Sequence, residues 1–272
     1  MTAENGGQGM ARVAGHFGEL MQGRMGPGGP VALITLPCPA LYCQVIHRPG
    51  SLGLFEPDGA IIGRVALRRL LADLGLPATG RFVLRRKMIP GGGAGASTAA
   101  RVALLHAAGA TDPARVARAC LKSEGASDPL MFENPGRILW ASREARILSG
   151  LPPLPRMEVV GGFWGPAHRT DPRDLAFPDI ADLVAGWQGG PHHLDHLAGL
   201  ASQSAERMMA LRGKRDDPTA ALARCFGAKG WVMAHTGSAR GLIFAPGAVP
   251  ADLITALRAA GFCGITRFGC GG

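Results

Sequence analysis

Tyrosine is almost missing from this chain: there is one in 272 residues, and aromatic residues together make up 6%. Grooves for single-stranded nucleic acid stack bases on aromatic rings set among basic residues, and no basic run here is interleaved with aromatics. The net charge of +9 comes from 29 basic residues against 20 acidic ones. The excess is largely arginine scattered through "RRKM", "ALRRLLADL" and "MALRGKRDDP". Such a pattern describes a solvated basic surface suited to an anionic ligand such as a nucleotide, and no nucleic-acid partner is expected. No apolar run approaches the ~20 residues that cross a bilayer, so no membrane partner is expected either. "MTAENGGQGMA" lacks the basic-then-apolar pattern of a secretory signal; it reads as a short lead-in, and a cytoplasmic location is expected. The six cysteines include no CxxC pair, which predicts reduced structural thiols and no zinc site.

Glycine, by contrast, is abundant, with 41 residues, and several gather in "KMIPGGGAGASTAARVALLHAAG". The segment before it, "GRFVLRRKMIP", alternates like a strand. The apolar run after it reads as a helix capped by Ser97 or Thr98. A glycine-rich loop at a helix start lets backbone N–H groups converge on an anion, aided by the partial positive charge of the helix end. Alone it is also compatible with a tight ligand-free turn. No Gly-Lys-Ser/Thr follows, so it is not a Walker A loop.

The rest of the chain predicts two strand segments at "ARVAGHFGELMQG" and "GPVALITLPCPALYCQVIHR", then an amphipathic helix in "GAIIGRVALRRLLADLGL". A further helix is expected at about 113–124. Three prolines in "LPPLP" mark a boundary, which divides the chain into 1–152 and 153–272. Beyond it come a strand at "MEVVGGFWG", a helix at "LDHLAGLASQSAERMMALRG", a hairpin turning at "HTGSARG", a helix at "ADLITALRAAGF" and a terminal strand. The order lacks the βαβ rhythm of a doubly wound sheet and predicts a two-part α+β fold.

Two acidic residues sharpen the loop. Glu124 and Asp128 stand four apart in "SEGASDPLMF", where Gly125 and Pro129 predict a helix end or loop. A phosphate loop with two carboxylates suggests phosphoryl transfer, which needs a metal-holding carboxylate and a group orienting the nucleophilic hydroxyl. Glu19, in "GHFGELMQG", joins them as a third acidic candidate. "PHHLDHLAG" also invites a metal reading through His192, His193, Asp195 and His196, but it reads better as a polar first helical turn after Pro191.

"GELMQG" with "ITLPCP", "IPGGGAGASTAA", "SEGASDPLMF" and "AHTGSARGLIF" together resemble the GHMP kinases, small-molecule kinases that include galactokinase, homoserine kinase and mevalonate kinase. "GELMQG" and "AHTGS" are most similar to the L-threonine kinase branch of cobalamin synthesis and propanediol utilisation. The loop departs from the family pattern P-x-x-x-G-L-G-S-S-A-A: counted from Pro90, Ala94 falls on the first motif glycine, whereas Ser97 lands on a motif serine in either alignment. His16 stands near the start, where mevalonate kinases carry a lysine, which argues against that substrate class. The resemblance implies a two-domain α+β fold, with a left-handed βαβ unit in the first part and a ferredoxin-like second part. It implies ATP and Mg²⁺ as cofactors and a small hydroxy amino acid, L-threonine, as the phosphoryl acceptor. Homoserine and a non-catalytic nucleotide- or metabolite-binding role are the alternatives. Pro90, Gly91, Gly92, Gly93, Ala94, Gly95, Ala96, Ser97 and Thr98 would wrap the ATP phosphates, with Ser97 and Glu124 on the metal. Asp128 would handle the substrate hydroxyl proton. Glu19 would face the substrate, together with His235, Thr236, Gly237 and Ser238.

Overall fold

A computed structural model describes residues 8–168, 171–234 and 236–272. Its centre is a long antiparallel pair, β1 (Gly9–Arg24) and β2 (Val31–Arg48). The turn between them places Gly26 and Gly28 at φ +82° and +70°, a conformation that glycine adopts without steric cost. β1 lies inside the sheet, between β2 and β8 (Gly230–Met233), and its middle is buried on both faces, with Phe17, Leu20 and Met21 fully buried. The β1–β2 register slips at Ala14/Gly15, His16/Glu19 and Glu19/Met21. Bulges of this kind re-aim side chains, and Gly18, at φ +67°, sits at the middle one.

The first half continues through β3 (Gly53–Phe55), α1 (Gly63–Asp73) and β4 (Arg81–Arg86). β3 and β4 pair in parallel with α1 as the crossover, while β4 lies antiparallel to β2. α2 (Ala96–Ala107) packs on β1 and β2 and is buried nearly all round, as its alanine-rich sequence permits. α3 (Pro113–Glu124) starts at Asp112, whose side chain accepts from the backbone N–H groups of Ala114 and Arg115. It ends at Gly125 in the left-handed region, so Glu124 closes the helix and Asp128 lies in the loop beyond. A hairpin absent from the sequence expectations follows: β5 (Ile138–Ala141) and β6 (Arg146–Gly150). It joins the sheet through Ala32–Ala141 and Leu33–Trp140 pairs. Strands of four and five residues are too short to give a periodic signal along the chain.

The second half runs β7 (Met157–Phe163), α4 (Ala181–Gly189), α5 (Leu194–Arg212), α6 (Thr219–Cys225), β8, β9 (Ala239–Phe244), α7 (Leu253–Ala259) and β10 (Cys263–Cys270). Its strands lie in the order β10-β7-β9-β8, the 4-1-3-2 arrangement of a ferredoxin-like sheet. β8 meets β1 at Glu19–Met233, so one ten-stranded sheet passes through both halves. His193 is the N-cap of α5, accepting from the His196 backbone N–H, which matches the reading of that cluster as a helix start. All six cysteines are free, and no described helix is long and apolar enough to cross a membrane.

Candidate active site

The glycine-rich loop turns its carbonyl groups toward the protein body. Those of Gly91, Gly92, Gly93 and Ala94 accept from the N–H groups of His168, Ala239, Gly18 and His16, at 2.8–3.1 Å. Among the described residues, no partner takes the N–H groups from Gly93 to Thr98. The last three belong to the first turn of α2, where no helical acceptor exists. Six consecutive donors thus remain unspent at a helix N-terminus, which is a ready anion site.

The helix cap differs from expectation. Gly95, at φ +70°, is the N-cap, and neither Ser97 nor Thr98 caps the helix. Their hydroxyls are committed elsewhere. The Ser97 hydroxyl accepts from Arg101 Nη1 at 2.5 Å, and Thr98 donates to Glu124 Oε1 at 2.9 Å. The glycines are held by packing as well as by backbone conformation. A Cβ on Gly93 would lie 2.1 Å from Ala234 Cβ, and one on Gly95 would lie 2.5 Å from the His16 ring.

Glu124 and Asp128 approach the loop from α3 and the segment after it. Glu124 Oε2 lies 3.2 Å from Arg101 Nη1. Burial pushes its carboxyl up, while Arg101 and the hydroxyls of Ser97 and Thr98 pull it back in part. The Asp128 backbone N–H points at Thr98 Oγ1, at 3.4 Å, so this hydroxyl ties both acidic residues to α2. The β5–β6 hairpin clamps the same segment. Ser127 N–H donates to the Ser142 carbonyl at 2.9 Å, and the Trp140 indole donates to the Ser127 carbonyl at 2.7 Å.

His16 joins this group, which the sequence reading had not placed there. Its Nε2 lies 3.3 Å from Asp128 Oδ2 and its Nδ1 lies 3.2 Å from Glu19 Oε1. In a regular strand residues 16 and 19 would face opposite sides; the bulge at Gly18 brings both to one side. Burial opposes the imidazolium, yet Glu19 and Asp128 outweigh it and raise the His16 pKa to about 9. Burial would raise Asp128 as well, but His16 more than offsets it and holds that carboxyl below its usual range. Glu19 goes the other way: burial, with Asp128 adding to it, pushes its carboxyl up to about 8 against the pull of His16 and Thr35. Glu19 Oε2 and the Thr35 hydroxyl opposite are both left without a hydrogen bond of normal geometry. The ligand atoms of His16, Glu19 and Asp128 lie within 4.8 Å of one another, and the imidazolium itself supplies positive charge between the two carboxyl groups.

These groups border a cavity of about 370 Å³, within the range of small-molecule sites. Of the expected residues, Glu19, Pro90, Gly91, Gly93 to Thr98, Glu124, Asp128 and Thr236 line it. Gly92 does not; a Cβ there would lie 2.7 Å from the Phe163 ring. Gly237 lies outside it, against the backbone of Gly92 and Gly93, and so does the buried Ser238, whose carbonyl accepts from Trp164 N–H. His235 is outside the described residues. His16, Gln22, Arg101 and Arg143 also border the cavity; His16, Gln22 and Arg101 lie in or beside the motif stretches of the sequence, and Arg143 lies outside them.

No protein-family model matches the chain, and no curated protein matches it in sequence. Solved structures share its fold. Homoserine kinase from Cytophaga hutchinsonii superimposes with a TM-score of 0.61 over 99% of this chain and 95% of that one, at 15% identity. Mevalonate kinase from Methanococcus jannaschii gives 0.62 over 98% and 99%, at 11% identity. A 4-(cytidine 5'-diphospho)-2C-methyl-D-erythritol kinase gives 0.57 over 98% and 100%, at 23% identity. The chain therefore has the α+β fold of these GHMP kinases.

Proposed function

We propose that the chain is an ATP-dependent small-molecule kinase of the GHMP family that phosphorylates the hydroxyl of L-threonine, giving O-phospho-L-threonine for the aminopropanol arm of cobalamin synthesis. The observation that carries the kinase reading is the run of six N–H groups from Gly93 to Thr98 that have no partner among the described residues, on residues that line one cavity with Glu124 and Asp128. Phosphoryl transfer asks mainly for positioning and for stabilisation of charge on the phosphoryl oxygens, and a row of backbone donors answers both needs. In this reading residues 90–98 hold the nucleotide phosphates. The half comprising 1–152 carries that loop, and 153–272 forms the second domain.

The donors around Glu124 suit Mg²⁺. The Ser97 hydroxyl and the Glu124 carboxylate are hard oxygen ligands on one cavity wall. Held there, the ion would supply positive charge against the developing negative charge of the phosphoryl group. Arg101, already paired with Glu124 and Ser97, would share that wall and add a fixed positive charge. Asp128, kept ionised by His16, accepts or orients the proton of the substrate hydroxyl. His16 is a positioning residue, since it holds Asp128 and Glu19 apart and in place. Glu19 borders the same cavity and faces the amino acid, whose ammonium would draw its carboxyl to the ionised form.

Threonine as acceptor rests on the resemblance of "GELMQG" and "HTGS" to the threonine-kinase branch. ADP release on L-threonine, L-homoserine and L-serine tests it. Threonine should be turned over best. Serine should be slower, because a pocket that merely fills space around a methyl discriminates by only ~1–3 kcal/mol. Preference for homoserine would move the substrate while keeping the kinase. Tight ATP binding without ADP release on any alcohol would leave a nucleotide-binding protein without catalysis.

A further inference from the structure

Among the described residues, no protein group completes the buried Nη2 of Arg143, a guanidinium on the wall of this cavity. Arg143 stands just past β5, beside the Asp128 clamp. Its guanidinium is fixed on two edges: Nε donates to the Pro172 carbonyl at 3.1 Å, and Nη1 to the Ser142 hydroxyl at 3.3 Å. The remaining nitrogen, Nη2, is buried and has no partner among the described residues. The acidic residues nearest in charge are engaged elsewhere: Asp128 with His16, Asp171 with Arg173, and Asp174 with Arg212. Phe177 lies 5.7 Å from the guanidinium carbon and limits its movement on that side.

A buried donor on a charged group is costly to leave unmade, and a planar guanidinium held on two edges is preorganised for a carboxylate. On the same cavity Glu19 Oε2 is a buried acceptor without a partner. An unspent guanidinium donor and a carboxyl group therefore border one space, and a ligand with a carboxylate for the first and an ammonium for the second, whose charge would draw Glu19 to its ionised form, answers both. We propose that Arg143 binds the α-carboxylate of the acceptor substrate, so that the enzyme selects zwitterionic hydroxy amino acids over hydroxy amines. This rests on the kinase reading above and adds to it the residue that recognises the substrate class. The hairpin that clamps the Asp128 segment also delivers Arg143, so one element sets both the substrate anchor and the group facing its hydroxyl.

The test compares L-threonine with L-threoninamide, which keeps the ammonium, the hydroxyl and the size but has no negative charge. Both are assayed with the wild type, Arg143→Met and Arg143→Lys, alongside thermal melts and ATP titrations. The wild type should favour the acid. In Arg143→Met, kcat/KM for threonine should fall roughly 10–100-fold, the range of a lost hydrogen bond to a charged group. The loss should lie mainly in KM, and the preference over the amide should collapse. Arg143→Lys should recover part of that preference. An unchanged acid-to-amide ratio in folded Arg143→Met would overturn the assignment and leave the kinase standing. A rise confined to the ATP KM would overturn it too, by moving Arg143 to the phosphates. If the wild type phosphorylates no hydroxy acid at all, the underlying reading fails and this one with it.

Discussion

Two concavities of this molecule are alike in size and opposite in electrostatic state. The first lies between the glycine loop, α3 and β1, at about 370 Å³; the second, about 300 Å³, lies between Trp164, Arg212, Lys214 and Arg240. In the second, the arginines are satisfied by the protein itself. Arg240 pairs with Asp217 at 2.7 Å, Arg212 pairs with Asp174, and Lys214 rests 5.7 Å from the Trp164 ring. In the first, six loop N–H groups, Glu19 Oε2 and Arg143 Nη2 have no hydrogen-bond partner among the described residues. Buried polar groups in folded chains are nearly always paired. A surface that pairs its charges internally is finished, while one that leaves several unpaired is completed by something else. That contrast, rather than volume, singles out the active-site candidate.

The sharpest way to break the contrast is at Asp128. In Asp128→Asn, turnover should fall about 10²–10⁴-fold, the usual cost of losing a group that handles a proton, with the ATP KM within a few-fold of wild type. Steady-state rates decide it, and near-wild-type turnover would remove Asp128 from the mechanism. The second region should respond in the opposite sense. Asp217→Asn breaks an ion pair whose side chains are 9% and 1% exposed, and it weakens the Thr219 contacts that Asp217 accepts. Leaving a buried partner uncompensated typically costs about 3–5 kcal/mol. A thermal melt should therefore show a large loss of stability, while kcat and the ATP KM of the folded enzyme stay within a few-fold. A changed ATP KM with an unchanged melt would make the second cavity part of the ligand site.

The smallest expected effect concerns pH. The folded state raises His16 from its ordinary value near 6.5 to about 9. Its imidazolium therefore contributes stability that is full below pH 6.5 and is lost as pH climbs to 9. Glu19, raised from 4.5 to about 8, acts in the same direction over the lower part of the range, because its ionised form is disfavoured in the fold. The melting temperature of the wild type should decline from pH 6.5 to 9, and His16→Asn should flatten that decline. An equal slope in the variant would show that His16 carries no such charge.

Much of this architecture was legible beforehand because it is local. β1 and β2 follow from two strand-like segments joined by a glycine- and proline-rich turn, α3 from the helical stretch at about 113–124 that Gly125 ends, and the loop-to-helix junction from its glycines. The pairing of Glu124 with the loop came from motif resemblance, and the structure places the two on one cavity. The usual preference for a hydroxyl N-cap points to Ser97 or Thr98, but Arg101 and Glu124 take those hydroxyls and Gly95 caps the helix instead.

Only the tertiary structure decided the rest. Sequence spacing assigns residues 16 and 19 to opposite faces of a strand, and a bulge puts them on the same one. Arg143 looked like one arginine among many; a hairpin of four and five residues brought it 15 positions beyond Asp128 to the same cavity. The unspent state of the loop N–H groups depends on where His16, Gly18, His168 and Ala239 come to rest, none of which adjoins the loop in the chain. Propensity, periodicity and capping act over a few residues and can be read along the chain. Whether a polar group ends up paired or left open depends on the neighbours that folding brings to it.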